Sequence, residues 1–506
     1  MRTIAVAIGV LIAFGLGRAA SKASAPFLAS LQGTGGVLSA AAVFVTGAVF
    51  IVAALMIALL CKAGRVKYML PIGCAAFIGS KDFSELYRTV WPLQAAFLGG
   101  AAGLCAAYYI FQRGPEGGEA RRKTTAIFLA VVISVGAGLF FARDGLAQNS
   151  VPGTKRGWSY MCLYERVKGI PNARAFLRGY QDERDKLYSP LETHAWSNMP
   201  GKTLVYYMFY KAGFGLNDIA AANIILCALA GIPLYFVVKR LASARVAAGA
   251  CVLFYLLPAP PCVFPALNAT TVLLALLGLW LMLVCLDKRD PAWGLGTGYC
   301  LGLLFLYEPS PFVLALALIP FIARAFKENA AATGGMFAGL VVGFAAVFVG
   351  LYLYSGVSVF RITADTVRCV RQFNEINGRE YWPFVVSNVG EFGSGIGMAV
   401  FMLWMFGVGA SVREVFGKGA SFVRRLFLEL GARPAAFVLM FFLTVAALDF
   451  WGTNRAEVTR LWLFLMPLAG ACAIWAAEKM EWKNYMPWIC GLVWAEAVLS
   501  HVPIST

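Results

Sequence analysis

MFAGLVVGFAAVFVGLYLY, residues 336–354, is an apolar run without a single charged side chain. A helix rises about 1.5 Å per residue, so a run of roughly 18 or more spans the hydrocarbon core of a bilayer. Runs of the same kind recur at VLSAAAVFVTGAVFIVAALMIALL (37–60) and LWLFLMPLAGACAIWAA (461–477). The composition agrees. The chain is 60% hydrophobic and 14% charged with a mean hydropathy of +0.72, whereas a soluble domain carries roughly 25% charge. The expected fold is an all-α polytopic membrane protein.

The net charge of +17 would point to nucleic acid in a soluble chain. Here the excess of Lys and Arg that cytoplasmic loops carry explains it more simply. The twelve cysteines include no CxxC pair, and most sit inside apolar runs, where they read as small packing residues. Cys162 and Cys369 fall in polar stretches, where exposure is expected. The N-terminus, MRTIAVAIGVLIAFGLGRAA, has the outline of a signal peptide; the favoured reading is retention as a first membrane helix.

Short basic loops fix a threading: CKAGRVK (61–67), ARRK (120–123), KRLASAR (239–245) and REVFGKGASFVRR (413–425) all go to the cytoplasmic side. Helices are then expected at about 4–18, 38–60, 68–80, 92–111, 125–142, 217–238, 246–258, 264–286, 293–307, 311–325, 333–355, 389–410, 435–450, 459–477 and 484–500, about 13 to 15 crossings in all. Four polar segments fall on the outer side: 143–216, 356–388, 258–268 and 449–460. Within the first, AFLRGYQDERDKLY (175–188) and KTLVYYMFYKAGF (202–214) read as short interfacial helices, the second rich in the aromatics that suit a membrane boundary. Pro200-Gly201 breaks the chain before it.

The spans are nearly clean of charge; Glu308 and Asp449 stand near outer helix ends. A carrier would place ionisable groups at mid-membrane depth. Polar information gathered on one surface favours an enzyme at the membrane boundary. The outer segments hold Asp144, Glu165, Asp182, Glu183, Asp185 and Glu192, then Arg371, Arg379, Arg455 and Arg460, with His194 in ETHAWSNMPGK (192–202). Sugar transfer from a lipid phosphate needs a carboxylate to take a proton from the acceptor hydroxyl. It also needs cations to hold the leaving phosphate, a task the planar fork of Arg suits.

Three stretches carry a family likeness. They are ARAFLRGYQDERDKLYSPLETHAWSNMPGKTLVYYMF (173–209), NGREYWPFVVSNVGEFGSGIG (377–397) and DFWGTNRAEVTRLWLFLMP (449–467). The chain resembles the GT-C superfamily of integral-membrane glycosyltransferases, in the bacterial branch similar to protein O-mannosyltransferases and aminoarabinose transferases. The first stretch is like a short helix, a His-rich turn and a second interfacial helix. In the second, Arg and aromatics precede an Asn and an acidic-Phe pair opening a helix. The third is like a late outer loop with an Arg-x-Glu-x-x-Arg-x-Trp pattern, carried here by Arg455, Glu457, Arg460 and Trp462.

The likeness implies a GT-C-like helix bundle over 125–506, its large first outer loop at 143–216 housing the catalytic carboxylate. Residues 1–124 would be an additional N-terminal membrane module. It implies inverting transfer from a polyprenyl-phosphate sugar to a glycan, lipid or protein acceptor, at the outer face of a bacterial inner membrane. The chain departs from relatives in reading Asn198-Met199-Pro200-Gly201 for His-Pro-Pro-Gly. In WSYMCLYERVKGIPN (158–172) Glu165 is the only carboxylate.

Glu165 is the preferred acceptor-activating base and Asp144 its rival. Arg455, Arg460, His194 and Arg379 are assigned to the donor phosphate, with Glu457, Asn198 and Lys202 in support. Glu457 is expected to pair with one of Arg455 and Arg460 and leave the other for phosphate. His194 suits a hydrogen bond to phosphate better than a base. The one cofactor this reading admits is a divalent metal. The alternatives are a transporter or flippase of a lipid-linked glycan, and a catalytically silent scaffold of the same architecture.

Overall fold

The structure, a computed structural model, describes residues 91–114, 118–147, 167–186, 198–264, 266–416, 433–482 and 485–500. The expected helices at 4–18, 38–60 and 68–80, Cys162, Glu165 and His194 lie outside the described residues. Every described element is helical. In order they are α1 (Trp91–Arg113), α2 (Gly118–Ala147), α3 (Ala173–Lys186), α4 (Pro200–Lys211), α5 (Leu216–Leu229), α6 (Gly231–Leu241), α7 (Ala244–Leu256), α8 (Ala259–Val263), α9 (Asn268–Lys288), α10 (Pro291–Tyr307), α11 (Ile319–Glu328), α12 (Ala330–Ser355), α13 (Val359–Ile376), α14 (Tyr381–Ile396), α15 (Met398–Phe416), α16 (Pro434–Trp451), α17 (Val458–Leu461), α18 (Met466–Lys479) and α19 (Tyr485–Ser500).

Seven stretches among the described residues are long and apolar enough to cross a membrane, α5 and α6 counting together as Asp218–Leu241. Their surfaces support the same conclusion. Over α12 only 17% of the apolar window is buried within the protein, and Val341, Val342, Val349 and Leu353 are exposed. So much contiguous apolar surface needs a nonpolar surrounding. This is a multi-pass helical membrane protein.

The core forms around α7 and α18. From Val246 to Leu256 every residue of α7 is buried, as a helix apolar on all sides requires. It packs on α18, which in turn packs on α15. Trp404, Phe392, Trp462 and Phe441 interlock there, ring centroids 5.5–5.9 Å apart. α10 and α12 form the tightest pair. A Cβ added at Gly298 would lie 2.0 Å from the Leu340 carbonyl oxygen, and one at Gly343 equally close to that of Leu295. Small residues let backbones approach where lipid supplies no hydrophobic drive.

Several boundaries depart from the expected ones. The polar segment 356–388 is mostly helix, the amphipathic α13 and the start of α14. The single helix expected at 389–410 is two helices, α14 and α15, separated by Gly397 at φ 86°. Left-handed backbone stops the hydrogen-bond ladder, and glycine adopts it without steric cost. The segment 459–477 is likewise divided into α17, a 3-10 turn at Leu463–Leu465, and α18, which opens on Pro467. The N-terminal half of 311–325 is 3-10 helix, Ser310–Leu318. α2 begins at Gly118, ahead of the apolar stretch expected from 125, and α1 packs against α2, α7 and α19. Cys369, in the polar stretch 356–388, is buried on α13.

Candidate functional site

The helix ends sort into two sets. At one end, ion pairs tie neighbouring helix termini: Arg240 with Asp287, Arg245 with Glu478, Arg289 with Glu328 (which also pairs with Arg324 one turn back in α11), and Glu414 with both Arg433 and Lys479. This is the basic end. At the opposite end the polar segments form a layer of their own. α3, α4 and the start of α13 share a second apolar cluster through Phe176, Leu177, Tyr180, Tyr206 and Ile362. Both short helices expected in the first loop are therefore formed, with Phe176, Tyr180 and Tyr206 buried between them and α13.

Two charged centres sit in that layer. The first joins α4 to the end of α10. Lys202, 5% exposed, pairs with Glu308, and its ammonium also donates to Asn198 Oδ1 at 3.0 Å. Ser310 donates to the other Glu308 oxygen at 3.0 Å, and the Tyr307 ring lies 5.9 Å from Lys202 Nζ. α4 reaches this depth because Gly201 presses on α10, where a Cβ would meet the Leu306 oxygen at 2.4 Å. A buried charge needs such partners.

The second centre links α13, α14 and the 449–462 segment. Arg379 and Arg455 each donate to the other's carbonyl oxygen, at 2.7 Å in both directions. Arg455 also donates to the Gly452 oxygen at 3.0 Å, with its guanidinium 5.5 Å from the Tyr381 ring. Glu457 pairs with Arg460 and, at 3.5 Å, with Arg379. The carboxylate thus bridges two arginines, and Arg455 is held by backbone.

The backbone that presents Glu457 is strained. Ala456 and Glu457 have φ of 68° and 60°, a region costing an L-residue about 1–2 kcal/mol each. Asn388 secures it. Its amide donates to Asp449 Oδ1 and to the Asn454 oxygen, both at 2.9 Å, and its oxygen accepts from Ala456 N at 3.3 Å. Glu391 accepts from Thr459 N at 3.0 Å, and Asn374 donates to the Thr453 oxygen at 3.0 Å.

The structure therefore brings Arg379, Arg455, Glu457 and Arg460 together, and separately Asn198 with Lys202. Asp144 is carried on the last turn of α2. The expected acidic-Phe pair, Glu391-Phe392, lies within α14 instead of opening it. Sequence reasoning passed over Glu308 as the partner of Lys202, and Asn388 and Asp449 as supports. Glu308 precedes Pro309, and Asp449 lies in the last turn of α16 before Gly452, so a helix breaker follows each acid within three residues and marks a helix end that can carry a charge. Among the described residues no three His, Cys, Asp or Glu side chains are grouped as a metal site. No protein-family model matches the chain, and no curated protein matches it.

Proposed function

We propose that the protein is a glycosyltransferase that moves a sugar from a polyprenyl-phosphate donor to an envelope glycan, lipid or protein. One observation carries the reading: the arginine cluster stands beside exposed aromatics. Phe450, Trp451 and Trp382 are 58%, 74% and 63% exposed. They adjoin Gly452, which binds Arg455, and Tyr381, which donates to the Phe450 oxygen. Exposed Trp beside Arg is the surface that a lipid phosphate meets at the bilayer boundary. The phosphate would rest on Arg455, Arg460 and Arg379, and the isoprenoid would run along the aromatics.

In the proposed reaction a carboxylate, Glu165 or Asp144, takes the acceptor's hydroxyl proton. The freed oxygen attacks the anomeric carbon, the bond from that carbon to the phosphate oxygen breaks, and polyprenyl phosphate leaves with its charge held by the arginines. The lid of α3 and α4 would limit water, which competes as acceptor. The membrane proposed is a bacterial inner membrane, with this end outward.

The test is transfer by the full chain in proteoliposomes carrying a polyprenyl-phosphate hexose with labelled sugar. Release of free polyprenyl phosphate with label in a new product supports the reading. An Arg455→Lys variant should lose at least about tenfold in kcat/KM, because a point charge cannot replace the fork.

A second reading, a flippase for a lipid-linked glycan, has its own observation. Glu496 is 1% exposed within α19, with its Oε1 accepting from Ala399 N at 3.2 Å. A carboxylate enclosed among the helices of a membrane protein is a feature of ion-coupled carriers. In the same proteoliposomes, movement of intact donor between leaflets without sugar release would replace the transferase reading with this one.

A further inference from the structure

α13 carries Arg361, Asp365, Arg368, Arg371 and Glu375, too many charges for a helix crossing hydrocarbon. Its two ends are set by helices that do cross. The basic end holds Glu328 just ahead of α12 and Arg433 just ahead of α16, so both of those helices finish at the opposite end. α13 starts at Val359, four residues after α12 stops at Ser355, across a turn in which Gly356 has φ 76°. Near its other end Asn374 donates to the Thr453 oxygen at 3.0 Å, two residues beyond the end of α16. A helix of 18 residues is about 27 Å long. α13 therefore runs along the membrane plane from the end of α12 to the end of α16.

One side of this helix is buried through Val359, Ile362, Cys369 and Asn374, with Ile362 in the cluster shared with α3 and α4. The other side is open from Phe360 to Ile376, its exposed positions recurring at the three- and four-residue spacing of one helix face. Helical geometry places Arg361, Arg368 and Arg371 along the middle of that face and Phe360, Val367 and Ile376 along its edges. Phe360 is 81% exposed and Ile376 65%. Arg368 stands 3.8 Å from the partly buried Asp365, and Glu375 is the exposed acid of the face. Positive charge remains in excess.

Two observations identify what covers this face. The first is continuity with the exposed apolar surface of α12. Tyr352, Leu353 and Tyr354 are exposed on the last turn of α12, and Phe360 follows them on the first turn of α13. Exposed tyrosines at the end of a crossing helix mark the bilayer boundary. The second is charge: between its apolar edges the face is cationic, which an anionic headgroup complements. We propose that α13 lies in the headgroup layer of the leaflet opposite the basic end and binds anionic phospholipid there. Phosphate oxygens rest on Arg361, Arg368 and Arg371, whose planar forks suit them, and acyl chains meet Phe360, Val367 and Ile376. A zwitterionic lipid meets the same apolar edges but gains less from the arginines.

The experiment uses the full chain in nanodiscs of dioleoylphosphatidylcholine. A small fraction of the lipid is phosphatidylglycerol or phosphatidylcholine with a photoreactive group on one acyl chain, and cross-links are mapped by peptide mass spectrometry. Within 359–376 the phosphatidylglycerol probe should cross-link at least about fivefold more than the phosphatidylcholine probe. The triple variant Arg361→Gln, Arg368→Gln, Arg371→Gln should lose that excess. Its cross-links to the exposed face of α12 at 341–353 should stay unchanged, which reports a folded bundle. Equal cross-linking of 359–376 by the two probes in the wild-type protein overturns the proposal without any variant. So does an excess that survives in the variant, and so do cross-links confined to α12. If soluble polyphosphate, at the same phosphate concentration as the probe, removes the excess, the face serves a soluble polyanion and the proposal falls.

Discussion

The two ends of the bundle use the same residue types to opposite effect. At the basic end, ion pairs staple helix termini together in reach of water, with Arg245, Arg433 and Lys479 all more than half exposed. At the other end Lys202 and Glu308 are enclosed, their side chains 6% and 16% exposed. Arg379 and Arg455 each hold the other's backbone carbonyl through one guanidinium nitrogen. Water screens the first set, so its members are individually dispensable. In the second set desolvation has been incurred, so each member depends on its partner. Charge at the basic end sorts the helices; charge at the other end holds a specific loop shape.

The sharpest way to break this contrast is at Glu308. Glu308→Ala leaves the Lys202 ammonium buried without its counter-charge and should cost about 3–5 kcal/mol. Unfolding by SDS titration would measure it. Lys202→Met together with Glu308→Gln should recover most of the loss. If Glu308→Ala alone is neutral, the enclosed pair is not a coupled unit.

Next in size is Asn388→Ala. It removes the donor to Asp449 and the support of the Ala456-Glu457 turn, with an expected cost of about 2–3 kcal/mol. Sugar transfer should fall with it, since Glu457 would lose its placement between two arginines. Retained activity with reduced stability would detach the turn from the function.

A smaller effect of opposite sign is expected at Ala456, where glycine suits φ 68°. Ala456→Gly should stabilise by about 0.4–1 kcal/mol in the same titration. Smallest of all, Glu414→Gln at the basic end should stay within about 0.5 kcal/mol, and any change should shrink with added salt. A loss of several kcal/mol there would make the two ends alike.

Much of the architecture is legible in the order of the residues. Apolar runs locate α12, α16 and α9 within a few residues, because a bilayer demands continuous hydrophobic length. The two amphipathic segments in the first loop form where their aromatic spacing places them, as α3 and α4. The motif at 455–462 gathers Arg455, Glu457 and Arg460, since they lie on one short turn. Pairings across long separations are not legible. Nothing near Lys202 announces Glu308, and nothing near Asn388 announces Ala456. Only packing decides which loops meet.

Composition and periodicity by themselves determined that this chain is a helical membrane protein with its polar residues collected at helix ends. Those properties follow from transfer of each residue between water and lipid, and that is a local quantity. The tertiary structure alone decided that Gly397 divides one apolar stretch into α14 and α15. It also decided that Arg379 and Arg455 clasp each other, and that Glu457 bridges two arginines from a left-handed turn. Each of these depends on partners distant in the chain, and a buried polar group takes whichever partner packing delivers.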